Sequence, residues 1–129
     1  MAKLSDLVNV NINRDTIKIQ DVDIPVIFTM KSFPFVEEAY GKPYHIFEKD
    51  LNRMLQKGTV KLGKNETRLM SALIYAMVRS GGTECTPKEL EGSIPISDLS
   101  GVFQTVLNIF NNQMFQKEDM DKMKTEKKN

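Results

Sequence analysis

One run of residues, 65–82 (NETRLMSALIYAMVRSGG), limits what this chain can become. Successive side chains on a helix step about 100° around its axis. At that spacing Leu69, Met70, Ala72, Leu73, Ile74, Ala76, Met77 and Val78 cover most of the circumference, leaving Arg68, Ser71, Tyr75 and Arg79 in one narrow seam. Asn65 offers a side-chain oxygen to the first-turn amides, and Gly81-Gly82 permits the left-handed residue that ends a helix. Such a helix must be packed nearly all round, each large side chain contributing roughly 1.5–3 kcal/mol on full burial. The rest of the chain has to supply the cover.

The chain has 129 residues, enough for one domain with a real core and too few for two. No apolar run approaches the roughly 20 residues that span a bilayer, and Met1-Ala2-Lys3-Leu4 does not lead into a signal-peptide core. A cytoplasmic protein with no membrane partner is expected. The single cysteine, Cys85, agrees with a reducing compartment. Net charge is +1, and the five lysines and four acids from Gln116 onward account for it, so residues 1–115 are balanced. Binding a polyanion needs clustered Lys and Arg that displace condensed counterions. Neither the total nor the local runs supply such a patch, so no nucleic-acid partner is expected.

Residues 1–14 alternate weakly and are rich in Asn, which reads as a flexible arm. Thr16-Ile17-Lys18-Ile19 and Ile24-Pro25-Val26-Ile27-Phe28-Thr29-Met30, joined through Asp21-Val22-Asp23, predict a hairpin. Pro25 cannot donate a ladder hydrogen bond, so an open edge and a route to self-association are expected there. Ser32 can cap a short helix over 33–40, with Pro34 in its first turn and Gly41 as its stop. A second helix over about 43–57 carries Tyr44, Phe47, Leu51, Met54 and Leu55 in one stripe, and Gly58 ends it. Thr86-Pro87-Lys88-Glu89 has the hydroxyl, first-turn proline and reciprocal Glu of a capping box, with Gly92 closing a short turn of helix. From Ser97 or Asp98 to about Phe115, Leu99, Val102, Phe103, Val106, Leu107, Ile109, Phe110 and Met114 share a broad face, against a cost of about 1 kcal/mol for Gly101. The fold class is therefore α+β, mainly α: an N-terminal β-hairpin, then a small helical bundle, in a single domain over 15–115 followed by a charged flexible tail over 116–129.

No catalytic, cofactor-binding or metal-binding set emerges. Gly58-Thr59-Val60-Lys61-Leu62-Gly63-Lys64-Asn65 falls short of a phosphate-binding loop, because Asn stands where magnesium needs Ser or Thr and the preceding element is an amphipathic helix. His45, the only histidine, sits on a polar helix face with Lys49 and Asn52, and no Cys or His spacing matches a metal site. Glu84, Glu89 and Glu91 read as solvation and dipole partners of a short capped turn. An enzyme would require Tyr75, Arg68 and Arg79 to line a pocket with His45. Eight methionines point elsewhere, since Met is used at adaptable binding surfaces. Met120 and Met123 in the tail, with Phe35 and Phe115 off the main apolar faces, are the candidate partner-binding residues.

The order of elements resembles a known family. The hairpin, the run Ile27-Phe28-Thr29-Met30-Lys31-Ser32-Phe33 leading to Glu37-Glu38-Ala39-Tyr40-Gly41, the helix Ser71-Ala72-Leu73-Ile74-Tyr75-Ala76-Met77-Val78 and the capped Thr86-Pro87-Lys88-Glu89-Leu90 are together similar to tail assembly chaperones of long-tailed phages, over about residues 15–115. The resemblance implies a nonenzymatic phage or prophage protein of the host cytoplasm, absent from the mature virion. It would bind the tape measure protein, keep it soluble and help tail tube protein polymerise around it. Contact with the tail tube protein would come through a longer form made by ribosomal frameshifting, for which a run of adenines at Lys127-Lys128 would be suited. The competing reading is a small helical DNA-binding transcriptional regulator, with Gln104, Asn108, Asn111 and Asn112 as adenine readers. Against it, the last helix has no Arg or Lys between Ser97 and Phe115.

Overall fold

A computed structural model gives the fold; it describes residues 2–8, 14–57 and 63–126, with side chains as far as residue 112. The chain is α+β and mainly α, as its patterning predicts. A single helical turn, α1 (Leu4–Leu7), buries nothing. The antiparallel hairpin follows, β1 (Arg14–Ile19) against β2 (Val22–Ile27), in register from Arg14 opposite Ile27 to Ile19 opposite Val22. Its two-residue turn is Gln20-Asp21, both at positive φ (52° and 65°), and Val22-Asp23, expected in the turn, belong to the strand. Positive φ at both centres matches the right-handed twist of paired strands. A glutamine rarely adopts it, and here distant groups hold it: the Gln20 backbone N–H donates to Asp98 (3.0 Å) and its side-chain amide to the Ser93 carbonyl (2.7 Å).

Ile17, Ile19 and Val26 alternate onto the inner face of the hairpin and are buried, while Thr16 and Lys18 face outward. A 3₁₀ turn (Met30–Ser32) leads into α2 (Phe33–Tyr40), which stops at Gly41 with φ 79°. Ser32 does not cap this helix. It is fully buried, its hydroxyl pairing with that of Ser80 (2.7 Å), and Thr29 caps the preceding turn instead. α3 (Tyr44–Gln56) buries Phe47, Leu51 and Met54 along the expected stripe; Gly58, its expected stop, lies outside the described residues.

α4 (Lys64–Ser80) is the centre of the molecule, touching β2, α2, α3, α5 and α6. Residues from Leu69 to Val78 are buried except Ser71, and Tyr75 from the polar seam is buried with them. Gly63, not Asn65, is the N-cap, because the helix starts a residue before Asn65 and places it inside the first turn. At the other end Gly82 takes the positive φ (107°) that the paired glycines permit. Pro25, expected to leave an open strand edge, has its carbonyl against Gly81, so the end of α4 meets the hairpin there.

The capping box forms as read: the Thr86 hydroxyl accepts from Glu89 N–H (3.1 Å) and Glu89 accepts from Thr86 N–H (3.0 Å), opening α5 (Pro87–Ser93). Gly92 lies within this helix and does not close it. α6 (Ile96–Glu126) begins where Pro95 offers its carbonyl to Asp98 N–H, ahead of the expected start. It also continues past Phe115, since neither Gly nor Pro follows and Gln, Lys, Glu and Met are good helix formers. Val102, Val106, Ile109 and Phe110 are its buried residues, and Phe110 meets Phe28 edge to face (5.8 Å). Gly101 is exposed within this helix, with open space where a Cβ would stand. Gly101→Ala is therefore expected to stabilise the fold by about 0.5–1 kcal/mol, read as a higher urea midpoint with an unchanged slope. No helix among the described residues is long and apolar enough to cross a membrane.

Candidate functional site

The α5 segment is too short to cover much. Of its seven residues only Leu90 is buried, and the chain then turns through Ile94-Pro95-Ile96 into α6. This leaves a groove of about 340 Å³ where α4, α5 and α6 meet. Buried Ile74 and Leu90 form its floor; Thr67 and Ser71 line it from α4, Glu91 and Ile94 from the α5 side, and Ile96, Leu99 and Phe103 from α6. Ile96 at the lip is 85% exposed, an unusual place for a large apolar side chain. The surface is concave and mainly aliphatic, with few polar groups at its edge. It can take up apolar side chains, and the polar groups along it are the Thr67 and Ser71 hydroxyls and the Glu91 carboxylate.

The polar clusters elsewhere have structural explanations. Beneath a cleft of about 300 Å³ lined by Lys42, Arg53, Lys57 and Arg68, the Tyr40 hydroxyl donates to Asp50 (2.6 Å), and Arg68 lies over the Tyr40 ring (4.8 Å) while donating to its carbonyl. Burial, then the Asp50 hydrogen bond, push the Tyr40 phenol up to about 12. Tyr75 donates to Glu38 (2.9 Å) and is likewise pushed up to about 12, by burial first and Glu38 second. Arg79 covers the ring of Phe35 (5.0 Å) and donates to the Cys85 carbonyl (3.0 Å). Burial raises the Cys85 thiol, which keeps it protonated and a poor nucleophile.

Arg68 thus serves Tyr40 and Arg79 serves Tyr75, while His45 stands exposed on α3 beside Glu48, Lys49 and Asn52. The four do not converge. Among the described residues no group of three or more His, Cys, Asp or Glu could hold a metal. Residues 58–62 of the phosphate-loop-like string lie outside the described residues. Gln104, Asn108, Asn111 and Asn112 are all exposed on α6.

Of the candidate partner-binding residues, Phe35 is half-buried, edge-on to Tyr75 (6.3 Å) beneath Arg79, and away from the groove. It was expected off the main apolar faces and instead packs against the core. The side chains of Phe115, Met120 and Met123 lie outside those described. Sequence reasoning passed over Ile94 and Ile96. Their signal was two β-branched apolar residues flanking a proline in a connector too short to fold back over them. The chain matches no family model, no curated protein and no solved structure.

Proposed function

We propose that this protein is a tail assembly chaperone of long-tailed phages, working in the host cytoplasm without a chemical reaction. The observation that carries the reading is the α4–α5–α6 groove, an uncovered apolar surface that contrasts with the polar cleft lined by Lys42, Arg53, Lys57 and Arg68. A long amphipathic helix such as the tape measure protein offers apolar side chains three and four residues apart, and a groove of this kind accepts them. The chaperone holds these stripes out of water until tail tube subunits replace it, and it is absent from the finished particle. Phe115, Met120 and Met123 on the far part of α6 extend the contact, and a frameshifted longer form recruits the tail tube protein.

The test is co-expression with the long helical protein encoded next downstream, followed by affinity capture and sizing. The partner is expected to become soluble and to elute in a stable multi-copy complex, and Ile96→Asp is expected to reduce the captured amount at least tenfold. A partner neither bound nor solubilised would overturn the reading. Salt-dependent DNA affinity in the same preparation would favour the regulator in its place.

A further inference from the structure

Cations converge on the cleft between α2, α3 and α4 from three separate stretches of chain. Lys42 enters from the α2–α3 connection, and Arg68 from α4. Arg53 and Lys57, four residues apart and so on one side of α3, come from its last turn and its C-cap. No run of positive charge in the sequence announces this set, because the fold assembles it. All four side chains are exposed, and among the described residues none forms an ion pair. The two carboxylates of the lining are engaged locally: Asp50 accepts from the Tyr40 hydroxyl (2.6 Å), and Glu66 folds back against Gly63 at the start of α4.

Structural roles account for only part of this charge. Arg53 and Lys57 suit the negative end of the α3 dipole, and Arg68 lies over the Tyr40 ring while donating to its carbonyl. Lys42 stands just ahead of α3 and Lys64 in the first turn of α4, where the helix dipole disfavours a cation. An anion in the cleft offsets that cost, since Asn65 and Glu66 of the α4 N-terminus line it beside the cations. The cleft is concave, about 300 Å³, and floored by buried Tyr40, Met54 and Leu69. Cations arriving from three elements suit the tetrahedral oxygens of phosphate better than the two coplanar oxygens of a carboxylate. Tyr40 is the one aromatic residue in the lining, and its burial leaves no ring face for a nucleobase. A nucleic-acid strand needs cations in a row over successive phosphates, whereas these surround one concavity together with Asp50 and Glu66.

We propose that this cleft binds the polyphosphate group of a small ligand, a diphosphate or triphosphate, through Lys42, Arg53, Lys57 and Arg68. The site is separate from the α4–α5–α6 groove and independent of the tape measure reading, so it is tested without that partner.

Inorganic triphosphate and ATP, both without magnesium, are the probes, titrated calorimetrically into the full-length protein at low salt. Triphosphate is expected to bind at one site per chain, ATP within about threefold of it, and both to weaken as salt rises. The pair Arg53→Gln with Lys57→Gln is expected to weaken triphosphate at least tenfold, and Lys42→Gln to weaken it severalfold. These side chains are exposed, which spares the fold, and circular dichroism checks that it is intact. Lys31→Gln with Lys88→Gln removes the same charge from exposed positions outside the cleft and is expected to bind like the wild type. No saturable binding up to about 1 mM triphosphate would overturn the proposal. So would an equal loss in the Lys31 and Lys88 pair, which would mean attraction by net charge alone, or ATP binding where triphosphate does not.

Discussion

Gly81→Val is expected to destabilise the protein by about 3 kcal/mol, lowering the thermal midpoint by roughly 10 °C. The reason is not backbone freedom, because Gly81 has an ordinary helical φ of −73°. A Cβ at this position would fall inside the contact distance of the Pro25 carbonyl, with the Val26 amide close behind. Both obstacles are backbone, so no side chain can swing aside, and either the end of α4 or strand β2 must move. Because α4 packs against every layer of the core, that movement spreads. Gly82→Ala is the control. Its positive φ carries a conformational cost of about 1–2 kcal/mol, but nothing stands within 4 Å of the added carbon. Urea unfolding of the pair separates the two causes; if Gly81→Val unfolds no more easily than Gly82→Ala, the close approach of helix and hairpin is wrong.

That contact also shows which parts of the fold could be read in advance. The central helix is legible because its apolar residues leave only one seam, and the Thr86–Glu89 box is legible because both partners lie within one turn. Signals of this kind are local. Features that depend on a distant partner were misplaced: Gln20 is held at positive φ by Ser93 and Asp98, and the Ser32 hydroxyl is drawn from its capping role to Ser80. The site follows the same division. A short helix was visible from the capping box, although it runs past Gly92 to Ser93, and that it buries only Leu90 was not. That Ile96 would remain uncovered depends on how α5 and α6 settle against α4, which no spacing within either helix specifies. Phe35 illustrates the converse. It falls outside the apolar stripes of its own helix, yet Tyr75 and Arg79 of α4 close over it.

Alkaline unfolding is the second large expected effect, and the tyrosines set its range. All three have raised pKa values: Tyr40 and Tyr75 stand at about 12, chiefly through burial and then through hydrogen bonds to Asp50 and Glu38, and Tyr44 is raised by burial and then by Glu48. In the unfolded chain a tyrosine ionises near pH 10. Between pH 10 and 12 the folded protein therefore binds more protons than the unfolded one, and stability falls as pH rises. Below pH 10 the contribution is fully present. Tyr40 and Tyr75 each contribute to this loss, against the roughly 5–15 kcal/mol that holds a small domain folded. Phenolate absorbance at 295 nm and helical circular dichroism should thus change together, in one cooperative step well above pH 10. Phenolate appearing near pH 10 while the helical signal persists would mean that these hydroxyls are open to water, and with it that α2 and α3 do not close over α4 as described.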